Sequence, residues 1–198
     1  MNGMKWCKNV VVVDADYVDK VAFDLIVNFE RMIGRRIPKA DMARWADCVA
    51  LDGRLRPGDN ETQVILIHDK GKDGLRNFEP GNYQKELNGM AFKDHLGEFV
   101  FEAYPVEELT TKGDFFAEVL QTVCEQQEVE WLMVIPDAED AYIYNKVKAT
   151  LRQDDHADRH VTVFTMQPTA GGNFRQEILG YSLMAALGIR GEELTIEN

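Results

Sequence analysis

No part of this chain is apolar for long enough to cross a membrane, which takes roughly 18 to 20 predominantly apolar residues. No basic start followed by a long apolar stretch opens the sequence, so a soluble, cytoplasmic protein is expected. Cysteine is scarce: Cys7, Cys48 and Cys124 lie far apart. Their spacing excludes a disulfide framework and a cysteine-based zinc site, and predicts buried thiols. Histidine is scarce too, and His68, His95, His156 and His160 show no ligand spacing. Positive charge is in deficit, with 22 basic against 34 acidic side chains and a formal charge of -12. Such a chain repels polyanions at long range. Any RNA partner would have to be met by local basic clusters: Arg31, Arg35, Arg36 and Lys39, then Arg54 and Arg56, then Lys70, Lys72 and Arg76. Internal repeats and low-complexity tracts are also missing.

What remains is enough apolar content, 45% of 198 residues, to bury one sizeable core, so a single domain spanning 1–198 is expected. Short apolar runs alternate with helical patterns. Residues 9–13, NVVVV, read as a strand, and Val18, Val21, Ala22, Leu25, Ile26, Phe29 and Ile33 then recur at three-four spacing up to Gly34. Asp16 stands where an N-cap would. Pro38 is expected to open a second helix, and Gly53 to end it. TQVILIH, EFVFEAY, EWLMVI and HVTVFTM read as further strands, with helices at about 112–127, 138–151 and 173–187 between and after them. Residues 69–97, rich in glycine and charge, read as a long surface excursion with one short helix. The final ELTIEN reads as an edge strand or a tail. This alternation predicts a three-layer α/β sandwich around a mainly parallel sheet of about five strands.

In such sheets ligands bind beyond the carboxyl ends of the strands, where strand order reverses. Acidic residues collect at those ends. Asp14 and Asp16 follow the first strand, and Asp137, Glu139 and Asp140 follow EWLMVI. Asp114 opens the preceding helix, with Glu118 one turn later. Two unit charges about 4 Å apart repel by roughly 4 kcal/mol at an effective dielectric near 20. Converging carboxylates therefore need a cation or raised pKa values. Oxygen-only ligands suit Mg²⁺ or Mn²⁺, and such an ion can polarise a phosphate and activate water. The bland alternative is that Asp16 caps a helix and that Glu139 or Asp140 complements a helix dipole.

In order and spacing, VVVDADY, TKGDFFAEVL and LMVIPDAED resemble the motifs of the PIN-like nucleases, particularly their NYN branch. The resemblance covers most of residues 9–166. It implies a PIN/NYN-like, Rossmann-like fold, Asp14, Asp114, Asp137 and Glu139 as catalytic carboxylates, and Mg²⁺ or Mn²⁺ held by these with Asp16, Glu118 and Asp140. The activity implied is metal-dependent cleavage of RNA, or its loss in a diverged relative. Tyr17 replaces the family's usual Asn, and Ile135-Pro136 replaces its Ser-Gly. The same opening residues, DADYV, also resemble the D-x-D-x-[TV] signature of haloacid dehalogenase-like phosphohydrolases. That implies Asp14 as nucleophile, Asp16 as acid/base, Asp137 and Asp140 as metal ligands, and Lys112 as a phosphate-stabilising lysine. A third reading is a non-catalytic binding or scaffold domain that acts as a homo-oligomer or through a partner.

Overall fold

A computed structural model describes residues 5–194. In chain order its elements are β1 (Asn9–Asp14), α1 (Ala15–Ile33), β2 (Ala40–Asp41), α2 (Met42–Asp52), β3 (Glu61–His68), β4 (Phe78–Glu79), β5 (Ala91–Asp94), β6 (Gly97–Pro105), α3 (Lys112–Cys124), β7 (Trp131–Ile135), α4 (Ala141–Arg152), β8 (His160–Thr165), β9 (Arg175–Ile178) and α5 (Leu179–Ala186).

Seven strands form one sheet in the order β5-β6-β3-β1-β7-β8-β9. All neighbours are parallel except β5, which runs antiparallel to β6 at the edge. From β1 the chain winds outward through β3 to β6, then crosses back to β7 and winds the other way. The reversal therefore falls between β1 and β7, the central pair of the sheet.

The period-two geometry of the strands decides what each face of the sheet buries. In β1, Val11 and Val13 face one side with Val64, Leu66, Met133 and Ile135, and are covered by α1, α2 and α5. Val10 and Val12 face the other side with Ile65, Ile67, Leu132 and Val134, and are covered by α3 and α4. Strands buried on both faces favour apolar residues at successive positions, so the central runs are continuous rather than alternating, with the buried polar residues Asn9, Asp14, Thr62, Gln63 and His68 toward the strand ends.

Several expectations are corrected. The sheet has seven strands instead of about five, because two edge strands carry little apolar signal. Residues 173–187 are not one helix: Arg175–Ile178 pair with β8 as β9, and α5 starts only at Leu179. Pro38 does not open α2, which starts at Met42 with Asp41 as its cap. The 69–97 excursion is ordered by β4, which pairs with β2, by a five-residue π-helical turn at Tyr83–Leu87, and by β5. ELTIEN lies largely outside the described residues, and Gly191–Leu194 before its end form a 3-10 turn. All three cysteines are free, but only Cys124 is fully buried.

Candidate active site

Asp14 ends β1 and caps α1, its Oδ1 accepting the Tyr17 N–H at 3.1 Å. The cap is therefore Asp14 rather than Asp16, because the helix starts immediately after the strand. Asp14 is only 1% exposed. Burial pushes its carboxyl up to about 6, the charges of Asp16 and Asp137 add to this, and Lys112 and the Tyr17 N–H oppose it.

Asp16 sits in the first turn of α1, where its Oδ2 accepts the Asp69 N–H at 2.6 Å. Lys112 Nζ, at the start of α3, lies 3.5 Å from Asp14 Oδ1, 3.4 Å from Asp16 Oδ2 and 3.6 Å from Asp69 Oδ2. Lys72 Nζ reaches Asp16 Oδ1 at 3.3 Å. Burial alone would raise the Asp16 carboxyl, but the Asp69 N–H and the two lysines outweigh it and hold the group below its ordinary range. Burial alone would likewise lower Lys112, and its three carboxylate neighbours raise it instead.

Asp137 follows β7, and its Oδ1 accepts the N–H groups of Glu139 and Asp140 at 3.2 and 3.3 Å. That leaves Oδ2 out of the turn's hydrogen bonding. Asp137, Glu139 and Asp14 all act on the hydroxyl of Tyr17, which burial and then these charges hold strongly in its neutral form. The Tyr17 hydroxyl is buried without a well-formed hydrogen bond among the described residues, as are the Tyr83 hydroxyl and His68 Nε2. Tyr83 stacks on His68 with ring centroids 3.8 Å apart, and burial and then Asp16 raise its hydroxyl. Beyond Glu139, the ends of β7 and β8 enclose a cleft of about 290 Å³ with Thr165, Gln167 and Thr169 on its wall.

The remaining acids are deployed elsewhere. Asp114 bonds Thr111 Oγ1 at 2.7 Å and Tyr142 Oη at 3.2 Å and pairs with Lys146, tying α3 to α4 at the surface. Glu118 is exposed on α3. Asp140 caps α4 through the N–H groups of Tyr142 and Ile143. Asp14, Asp16, Asp137 and Glu139 thus gather about the β1/β7 switch point, whereas Asp114, Glu118 and Asp140 do not. Asp69 and Tyr83 join the centre without having been anticipated. Asp69 follows a buried strand just as Asp14 and Asp137 do, and that signal could have found it. Tyr83 arrives through the long excursion and has no local signature.

A family model matches residues 3–194. The chain belongs to DUF6621, a family of unknown function. No curated protein and no solved structure matches it. The chemistry of this DUF6621 chain must therefore be read from its own site.

The donor set fits one hard divalent cation in part. Asp14 and Asp137 offer carboxylate oxygens from adjacent strand ends, and Glu139 lies beside them. On the other side of Asp14, an ammonium already supplies positive charge. Among the described residues, no three His, Cys, Asp or Glu side chains stand together in ligating geometry. A cation at Asp14 would thus share that carboxylate with Lys112.

Proposed function

We propose that this chain is a Mg²⁺- or Mn²⁺-dependent phosphoester hydrolase of PIN/NYN-like type, acting on RNA phosphodiesters at the Asp14 centre. The observation that carries the reading is a buried carboxylate at the end of the central strand, with its pKa raised and with Asp137, just beyond the adjacent strand β7, close enough for its charge to add to that rise. Burial is the main cause of that rise and outweighs the Lys112 ammonium beside the group, and carboxylates perturbed in this way are common at functional sites. A bound divalent ion would polarise the phosphate and lower the pKa of its water. Asp14 and Asp137 would hold it, with Glu139 at the rim. Lys112 keeps Asp16 and Asp69 neutralised and presents an ammonium toward phosphate oxygens. Tyr17 and Tyr83, kept neutral, have hydroxyl protons to donate beside the carboxylates.

Of the basic clusters that could meet RNA, Arg35 is committed to Glu193 and Gly188, Lys70 to Glu108, and Lys72 to Asp16 and Asp69.

A second reading has its own support. The Lys112 ammonium placed between Asp14 and Asp16 is what an aspartyl-phosphate mechanism of the haloacid dehalogenase type requires. Against it, α1 starts at Ala15 and leaves no room for a flap between strand and helix.

Purified protein with Mn²⁺ tests both readings on single-stranded RNA and on a generic phosphomonoester, beside Asp14→Asn. RNA cleavage that the substitution abolishes supports the first reading. Monoester turnover with a phosphorylated Asp14 supports the second. Inactivity on both substrates, with no calorimetric Mn²⁺ binding, overturns both in favour of a non-catalytic domain.

A further inference from the structure

At the opposite, amino-terminal ends of the strands, β7, β8 and β9 begin with Trp131, His160 and Arg175, and the turn from α2 to β3 brings Arg54 and Arg56 beside them. With Phe174 these residues line a cleft of about 430 Å³. Small-molecule sites occupy roughly 300–1,000 Å³. The carboxylate centre lies at the other end of the strands, about 17 Å away for a five-residue strand.

The charge of this cleft runs against that of the chain. Four arginines line it, in a protein with an excess of acids. Two have duties within the fold. Arg159 is buried and bonds Asp154 at 2.6 Å together with the carbonyls of Val129, Cys124 and Gln126. Arg175 bonds Glu177 at 2.7 Å. Arg54 and Arg56 are exposed and have no carboxylate partner among the described residues. Arg54 also holds a φ of +69°, in the turn where the Leu55 N–H returns to the Ala50 carbonyl. Glycine is the usual residue at such a helix end. Here the glycine stands one residue earlier, where a Cβ at Gly53 would collide with Met133. Arg54 thus carries its side chain in a backbone conformation that glycine usually takes.

Aromatic surface completes the cleft. The Trp131 and His160 rings stack with centroids 4.1 Å apart and 24° between planes, and His160 is exposed. Guanidinium groups match phosphate oxygens bidentately, and planar rings accept a nucleobase face. We propose that this cleft is a mononucleotide-binding site, with Arg54 and Arg56 on the phosphate and the base stacked against the His160–Trp131 pair. It is independent of the hydrolytic centre.

Isothermal titration of the full chain with AMP, adenosine and inorganic phosphate tests the site. AMP binds at least tenfold more tightly than either fragment. Arg54→Ala/Arg56→Ala weakens AMP at least tenfold without moving the thermal midpoint, His160→Ala weakens it severalfold, and Asp14→Asn leaves it unchanged. Arg54→Gln/Arg56→Gln gives the same loss if the alanine pair proves unstable. The proposal is overturned if AMP binds no better than phosphate, if neither arginine pair matters, if Asp14→Asn abolishes binding, or if an oligoadenylate binds far more tightly than AMP.

Discussion

Asp14 carries two burdens at once, capping α1 and standing as a desolvated charge at the switch point. Its carboxyl is raised to about 6 against an ordinary value of 3.8. The sign follows from linkage: the folded state binds the proton more tightly, so this group stabilises the fold when protonated. That contribution is present in full below about pH 4 and is lost as pH rises through about 6, at a cost of about 3 kcal/mol for a wholly buried group. Asp14→Asn keeps a capping oxygen and removes the charge. Urea denaturation of this variant is expected to show higher stability than wild type at pH 8 and no advantage at pH 4, alongside the loss of activity. Lys112 is the counterpart. Lys112→Met leaves Asp14, Asp16 and Asp69 without their shared cation and is expected to cost about 1–3 kcal/mol at neutral pH, discounted for partial exposure of the ammonium. Millimolar Mn²⁺ should return part of that loss in a thermal melt. This residue-level electrostatics was half legible in the sequence. Acids beyond buried strand ends are a local pattern, so Asp14 and Asp137 stood out. The capping choice between Asp14 and Asp16 depends on a one-residue difference in where the strand stops. The engagement of Lys112 with three carboxylates depends on contacts between residues far apart in the chain, with Asp14 and Asp16 at the junction of β1 and α1 and Asp69 after β3.

At the scale of elements, α3 places Lys112, and its own placement depends on close packing against α4. Gly113 allows that approach: a Cβ there would stand 2.8 Å from Ile143 Cγ1. Gly113→Ala is expected to destabilise the protein by about 1–3 kcal/mol through overpacking. It should also lower activity beyond what stability explains, because it shifts the turn that holds Lys112. Equilibrium denaturation and kcat measured on the same preparation check this. The surface bridge from Asp114 to Lys146 has a different weight, since Asp114→Asn should leave activity within about twofold if Asp114 is not part of the centre. The sequence revealed elements in proportion to their burial. β1, β3 and β7 each carry a continuous apolar run, Val10–Val13, Val64–Ile67 and Trp131–Ile135, because both faces are covered. The strand RQEI, β9, has only half-buried residues and a polar pattern, so nothing local distinguished it from the start of a helix. The π-helical turn at Tyr83–Leu87 was likewise hidden, because its shape is imposed by Glu86 bonding back to the Gly81 and Asn82 N–H groups.

For the whole molecule, the charge of -12 sets how any polyanionic substrate arrives. Long-range repulsion is screened beyond a Debye length of about 8 Å at physiological ionic strength. RNA cleavage by this protein is therefore expected to speed up as salt rises from about 10 to 150 mM, opposite to the behaviour of a basic nuclease. A steady fall of kcat/KM over that range would place the RNA on a local basic surface that dominates the global field. The doubly wound order of the sheet is what makes the two ends of the strands chemically different. Carboxylates collect at the carboxyl ends around β1 and β7, and arginines collect at the amino ends around β7, β8 and β9. The topology class was legible from the alternation of elements, whereas this division of charge between the two ends of the strands emerges only when the strand order is known.

The central claim is that Asp14 and Asp137 meet across a shared divalent cation. A crystal structure with Mn²⁺ bound, located by anomalous scattering, tests it most directly. The predicted result is one ion within about 2.0–2.6 Å of oxygens from both carboxylates, with Lys112 drawn toward Asp16 and Asp69. Manganese absent from the switch point, with Lys112 still paired to Asp14, would contradict the account.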